Sequence, residues 1–359
     1  MAQNRRLYYG CLAVAFCKIG SNTFTKAFAV EGASMTTSFN LDYVFELGQV
    51  EVYQILEGVP DITIELTKAM DGTPPLYCLA TNGATSPSLA GRGSTGTIFG
   101  MATFSEQQDA ASGNPLREVT CSGAFHSSFG FQFNIEGAFK ETMTLVGNNK
   151  VWATGSFKLA NLFNGQDSPP NIATSGGVQQ RQNMVFSFPT GVTYTLDTNG
   201  QVETKLATIL PPDIEGISSS GTNNTDTAGF FTAYLQSINV TVDLQRENLL
   251  QLGRKIPYFR YPRFPVECRT EIEAYVSQWD NVSATEAGTD GLGNNLTNRT
   301  IVLRTQDGLV VNMGKKNILE NVAMQGGGVD GSLLTARYSY VTQSFCTVTH
   351  PQDPSGLTQ

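Results

Sequence analysis

The chain has 359 residues, 23 Lys+Arg against 31 Asp+Glu for a net charge of −8, and only 15% charged residues. That length can build two ordinary cores, while the acidic balance argues against a protein that grips nucleic acid by its phosphates, which needs clustered cations. Glycine (36), with Ser, Thr and Asn, takes the place of charge, a mix that favours turns and strands over helices.

At the N-terminus Arg5-Arg6 precedes an apolar run, Leu7–Phe16, broken by Gly10 and Cys11 and closed by Lys18. It has no small-residue cleavage pattern and reads as a buried strand, and no run reaches the roughly 18 apolar residues of a membrane span. A strand at Met35–Leu41 leads to a short turn of helix or coil at Tyr43–Leu47, stopped by Gly48 in a left-handed cap. A crossing ends at Pro60 and a strand starts at Asp61–Leu66, where proline is tolerated at the entry. Ala80–Asn114 reads as a long irregular stretch. Phe129, Phe131 and Phe133 then alternate with small or polar residues, Asn134–Gly137 turns the chain, and Phe139–Leu145 returns: a hairpin.

The segment 164–182 reads as an insertion or extended arm, and the polar, Gly/Ser-rich segment 211–229 as a linker. Beyond it, Ile238–Leu244 is a strand, Arg246–Leu252 a second turn stopped by Gly253, and Val266–Tyr275 a strand after Pro265. A second hairpin runs from Ile318–Met324 through Gln325–Gly331 to Leu333–Val341. The tail His350–Gln359 is expected to be mobile or laid over a neighbour.

These elements fall into a repeat. Met35–Pro60 recurs without gaps at Val240–Pro265, 205 residues on, with Thr36/Thr241, Leu47/Leu252, Gly48/Gly253, Tyr53/Tyr258 and Pro60/Pro265 identical. One hairpin follows each copy. A repeat of this length implies two copies of one small domain in tandem, and points to a symmetric assembly before an active site.

Little here reads as chemistry. The two histidines, His126 and His350, lie in different halves, and His126 reads as a hydrogen-bonded structural residue. Six scattered cysteines contain no C-x-x-C pair and read as reduced, buried thiols. Gly314-Lys315-Lys316 lacks the spacing of a phosphate loop, Gly326–Gly328 reads as a hairpin tip, and Thr289–Asn295 has too few carboxylates for a calcium loop. Five N-x-S/T sequons read as a by-product of composition. No catalytic residue, cofactor site or metal site is expected.

The two crossings differ in charge. The second, Arg254–Phe264, interleaves Arg254, Lys255, Arg260 and Arg263 with Tyr258; the first carries Glu51, Tyr53 and Glu57 and no cation. Opposite charge on equivalent segments favours a subunit contact between them over a nucleic-acid groove. These eight residues are the subunit-interface candidates.

Several strings resemble the tail tube proteins of long-tailed bacteriophages: the N-terminal Met1–Tyr9, Phe45-Glu46-Leu47-Gly48-Gln49, Val59-Pro60-Asp61-Ile62 and Met70-Asp71-Gly72. Ser127-Ser128-Phe129, Leu145–Trp152 and Leu252-Gly253-Arg254-Lys255 are similar too, so the resemblance touches both halves and about half of the chain. It implies a mainly β fold of β-sandwich or barrel type with few short helices and long loops; with the repeat and the linker, this gives two tandem domains at 1–210 and 230–350, then a tail at 351–359. It implies a non-enzymatic virion protein, assembled in the host cytoplasm, whose inner sheet closes with its neighbours into stacked rings around a channel for DNA. Chains with two fused domains are similar to those that form trimers imitating a hexamer; a hexamer of single enlarged domains is the alternative. Other tail proteins would be neighbours, with no membrane involved. The two hairpins would form the channel, with Phe129, Phe131, Phe133, Glu136, Lys140, Glu141, Tyr338 and Tyr340 as candidates. Other readings are a β-rich adhesin or carbohydrate-binding module, a baseplate hub or a tail terminator ring.

Overall fold

A computed structural model describes residues 12–105, 110–163, 177–184, 195–196, 202–203, 210–211, 214, 234–276, 282, 299–326 and 333–357. Its first half contains β1 (Leu12–Lys18), β2 (Phe24–Lys26), β3 (Val30–Ser38), β4 (Leu41–Phe45), β5 (Val52–Glu57) and β6 (Asp61–Ala69). Two short helices follow, α1 (Leu76–Ala80) and α2 (Leu89–Gly93), then β7 (Thr97–Thr103), β8 (Arg117–Asn134), β9 (Lys140–Gly147) and β10 (Val151–Ala153). A two-residue ladder joins β11 (Thr195–Leu196) to β12 (Val202–Glu203). The second half contains β13 (Tyr234–Asp243), β14 (Glu247–Leu249), β15 (Phe259–Tyr261), β16 (Glu267–Tyr275), β17 (Val302–Arg304), β18 (Val310–Asn312), β19 (Ile318–Gln325), β20 (Thr335–Gln343) and β21 (Thr347–Thr349). The fold is mainly β and antiparallel, as expected.

Eight strands form one path through both halves, in the order β3-β6-β9-β8-β13-β16-β20-β19. Period-two patterning explains it: Phe129, Phe131 and Phe133 of β8, Ile62, Ile64 and Leu66 of β6, Val240 and Val242 of β13, and Tyr338 and Tyr340 of β20 are all buried. Helix α1 adds Leu76, Tyr77 and Leu79 to that core, and the small sheet β17-β18-β21 adds Leu303, Val311 and Val348. Strand β8 is long enough to serve two sheets. Its start pairs with β7 and β10 and its end with β9 and β13; Gly123, at φ +67°, lies where the partners change, a backbone conformation that side chains disfavour.

The path consists of two runs of four strands in the same order, β3-β6-β9-β8 and β13-β16-β20-β19. Each first pair is bridged by a protruding hairpin, β4–β5 or β14–β15. The hairpin registers agree: Asp42 faces Leu56 and Tyr43 faces Ile55, as their repeat partners Glu247 and Asn248 face Tyr261 and Arg260. A one-residue bulge interrupts β8 at Ser127 against β9, and another interrupts β19 at Glu320 against β20. The copies part company after the proline. Strand β6 starts directly at Asp61, β16 one residue later at Glu267, and the β13–β16 register is displaced by one accordingly.

Several expectations need correction. Tyr43–Leu47 and Arg246–Leu252 are not helical: each runs up a hairpin, and the glycine sits at its tip. Glu46 O accepts from Gln49 N and Gln251 O from Arg254 N, both at 3.2 Å, with Gly48 at φ +92° and Gly253 at φ +84°. A positive φ at the third turn position is what a type II turn requires, so each left-handed glycine serves a hairpin turn rather than a helix cap. The stretch 80–114 is not irregular throughout, since it holds α2 and the sheet strand β7. The described part of the tail, up to residue 357, is not loose: His350 and Asp353 are buried within their own chain. The first strand is Leu12–Lys18, and residues 1–11 lie outside the described residues. So do most of the insertion (164–176), most of the linker (212–213 and 215–229), the calcium-like segment 289–295 and the glycines at 327 and 328.

Candidate functional site

The eight-strand path has an open edge at each end. Among the described residues β3 pairs only with β6, and β19 only with β20. Such edges present unpaired N–H and C=O groups, and proteins usually blunt them with charge, proline or a cover. Here β3 (VEGASMTTS) carries one charge, Glu31, and β19 (ILENVAMQ) one, Glu320, which is ion-paired to Arg269 at 2.7 Å. Neither strand contains proline. Met35 and Ala33 on one edge and Val322 and Met324 on the other lie half-buried at the rim of the core.

The protruding hairpins are the second feature. Along β4–β5 the side chains of Leu41, Tyr43, Phe45, Tyr53, Ile55 and Leu56 are exposed, and the tip residues Leu47 and Leu252 are fully so. A two-stranded ribbon in water is marginally stable at best, and clustered exposed apolar residues are characteristic of contact surfaces. The first hairpin carries Asp42, Glu46, Glu51 and Glu57; the second carries Arg254 and Lys255 at its tip and Arg263 beside Glu247 at 3.4 Å. Of the eight interface candidates, Glu51, Tyr53, Glu57, Arg254, Lys255, Tyr258 and Arg263 are exposed on these ribbons. Arg260 differs. It is buried, donating to Asp61 Oδ1 at 3.0 Å and Asn148 Oδ1 at 2.8 Å, so it anchors its hairpin to the first half of its own chain. Burial acts to raise the Asp61 carboxyl, but hydrogen bonds from Asn40 and Arg260 outweigh it and hold Asp61 below the usual range.

Arg246 makes the companion anchor. Its guanidinium donates to the carbonyl oxygens of His126 (2.6 Å), Gly93 (2.6 Å) and Arg260 (3.2 Å) and lies 5.0 Å over the Phe125 ring. Burial and the neighbouring Arg260 lower its pKa to about 10. The second hairpin is therefore strapped across the internal junction β8–β13, whereas the first has no counterpart strap among the described residues.

The third feature is the sheet face opposite the core. Thr36, Thr63, Glu65, Lys140, Thr142, Thr144, Gln132, Asn239, Thr241, Asp243, Glu267, Arg269, Glu271, Glu273 and Arg337 form a face that is polar and rich in hydroxyls, with carboxylates outnumbering cations. The channel candidates split across this sheet. Phe129, Phe131, Phe133, Glu141, Tyr338 and Tyr340 are buried on the core side, because the alternation that identified the strands sends those side chains inward; Glu136 is exposed and Lys140 half-exposed.

Glu141 is a strut. Its carboxylate accepts from the N–H groups of Leu76 (2.6 Å) and Tyr77 (2.8 Å) at the start of α1, while burial pushes its pKa up to about 7. A second strut ties the chain end: buried Arg92 pairs with Asp353 and donates to Thr81 Oγ1 at 2.7 Å. The sequence offered no signal for Arg92, since a lone arginine between glycines looks like surface.

His126 is buried edge-on to Tyr77, with neither ring nitrogen hydrogen-bonded, contrary to the expectation of a bonded residue; burial, with Arg246 and Arg92 nearby, holds its pKa well below normal. His350 Nε2 lies 3.9 Å from Asp307. The five described cysteines are buried and free. A cleft of about 370 Å³ beside β8 and β13 is lined by Phe133, Phe139, Met184 and Leu235, with Arg181 the charged group on its wall. Among the described residues no cluster of His, Cys, Asp and Glu could hold a metal, and no helix is long and apolar enough to cross a membrane.

No family model and no curated protein matches the sequence. Solved structures do. A hybrid NMR and cryo-EM structure of the SPP1 tail tube matches at 12% identity and TM-score 0.34, covering 55% of this chain and 100% of that one. The tube-terminating cap of the anti-feeding prophage matches at 13% and 0.32 (43% and 95%), and the baseplate of that prophage at 12% and 0.30 (43% and 100%). At these scores the likeness carries no argument about function.

Proposed function

We propose that the chain is a structural subunit of a phage-type tail tube, closing with further copies of itself into stacked rings around a channel. One observation carries this reading: two equivalent four-stranded units join edge to edge at β8–β13, and the same two kinds of edge, β19 and β3, stay open at the ends. A head-to-tail contact of that kind generates a ring if the rotation closes, and a ring leaves no strand edge exposed. In this reading the two units stand for the tandem domains that the repeat implies, sharing one sheet and one core. Three chains supply the six units per ring that the tail-tube resemblance implies.

The polar, acid-rich sheet face lines the channel in this reading. A surface short of clustered cations does not retain a polyanion, so DNA slides past it. The exposed hairpins, acidic in the first unit and basic in the second, meet other copies and link ring to ring. Stacking suits a tube subunit better than a terminal cap, because both ribbons need a cover.

Electron microscopy of the purified full chain tests the reading. Rings or tubes with a central hole are expected; compact monomers persisting at high concentration would overturn it.

A further inference from the structure

Resting on that reading, we infer the residue-level seam between chains: β19 of one copy pairs antiparallel with β3 of the next, Met324 opposite Met35, and hairpin β4–β5 straps the joint over Ile318. The internal junction supplies the template. There Phe131 faces Val240, Gly130 faces Thr241 and Phe129 faces Val242.

Both sides of the template have equivalents in the open edges. Val240 and Met35 are repeat partners, fixed by the gapless alignment and by the matching hairpin registers. The bulges at Ser127 and Glu320 align β8 with β19, which sets Phe129 against Val322 and Phe131 against Met324. Transposing the junction therefore places Met324 opposite Met35, Ala323 opposite Thr36 and Val322 opposite Thr37.

The side chains agree with this register. Met35 lies beside buried Ile64 and Met324 beside buried Ala336 in their own ladders, so both face the core side, while Thr36 and Ala323 face the polar side. A slip of one residue would set Met324 against the polar face, and slips of that kind are disfavoured wherever one face is buried.

The strap follows from the same transposition. Arg246 corresponds to Leu41, Arg260 to Ile55 and Phe125 to Ile318. Leu41, Ile55 and Ile318 are each about half exposed (43%, 50% and 48%). The internal joint is held by the Arg246 guanidinium on carbonyls and a ring, with Arg260 on Asp61 and Asn148; the joint between chains is held by aliphatic contact.

Cysteine cross-linking tests the seam on full-length protein carrying Met35→Cys and Met324→Cys together. Directly opposed positions have Cβ atoms about 4.5–5.5 Å apart, within reach of a short thiol-to-thiol cross-linker. Treatment should give a non-reducing ladder ending at three chains, at least tenfold stronger than with either single variant or with Thr36→Cys paired with Met324→Cys. Rings without a cross-link, or equal cross-linking of the Thr36 pair, would overturn the register and leave the ring reading standing. Neither rings nor cross-links from the native chain and the pair would overturn both. A second variant guards against misfolding: Ile318→Asp should keep the native circular dichroism spectrum and lose assembly, and rings formed as readily as by the native chain would overturn the strap.

Discussion

Ser127 and Glu320 occupy the same bulge in two different hairpins. Each is the extra residue of the first strand, placed after the second ladder position that opens the hairpin pairing, Phe125–His126 in one case and Ile318–Leu319 in the other. Bulges re-aim a strand and increase its twist, so a shared bulge gives β8 and β19 the same bend where one meets β13 and the other is left open. The likeness of the two four-stranded runs thus extends beyond the 26 residues of the sequence repeat.

The tip leucines should separate assembly from folding. Leu47 and Leu252 touch nothing in their own chain, so Leu47→Asp or Leu252→Asp should change stability by no more than about 0.5 kcal/mol. Stacking should be lost or strongly weakened. Urea denaturation and sedimentation of the same samples check both halves of the statement.

Removing Asp353 should have the opposite profile. Asp353→Ala leaves the Arg92 guanidinium buried without its counter-charge, and breaking a buried pair costs about 3–5 kcal/mol. A loss of unfolding free energy of that size, read from urea denaturation, is expected, whereas a nearly unchanged midpoint would mean the Arg92–Asp353 pair contributes little.

Stability should fall on mild acidification. Burial depresses the pKa of His126 and His350 below 6.5 in the folded state, so below that pH the unfolded chain binds more protons and stability drops as pH falls. Each such histidine contributes at most about 1.4 kcal/mol per pH unit. Glu141 acts with opposite sign: its folded pKa of about 7 exceeds 4.5, so between those values the folded chain binds more protons and stability falls as pH rises. The two histidines outweigh the one carboxyl, and His126→Phe should flatten the acid slope measured by urea midpoints from pH 5 to 7.

Ring-to-ring contact should weaken with salt. Screening shortens from about 10 Å at 0.1 M to about 3 Å at 1 M ionic strength, and the facing ribbons carry Glu46 and Glu51 on one side and Arg254 and Lys255 on the other. Tubes should shorten in high salt, and the double change Arg254→Glu, Lys255→Glu should abolish stacking at low salt. Tube length distributions from electron micrographs provide the readout.

What the sequence revealed follows burial. Phe129, Phe131 and Phe133 alternate because β8 has one covered face there, and both copies of the repeat kept their Leu-Gly turn because the tip needs a positive φ. Strand β7, Thr-Ile-Phe-Gly-Met-Ala-Thr, is covered on both sides for most of its length and so shows no period. Hairpin β4–β5 is open on both sides, and its apolar residues follow no inward face, which let Tyr43–Leu47 pass for a turn of helix. Of the candidate surfaces, the charged crossings were legible as local composition. The open edges and the Arg246 strap were not, because they depend on which strand stands beside which.

The number of chains around one ring tests the account most directly. Top views of assembled particles, averaged by cryo-electron microscopy, should show three chains around the axis, each contributing two similar wedges, with sheet continuous across every joint. Six chains around the axis, or an open arrangement whose first and last edges never meet, would contradict it.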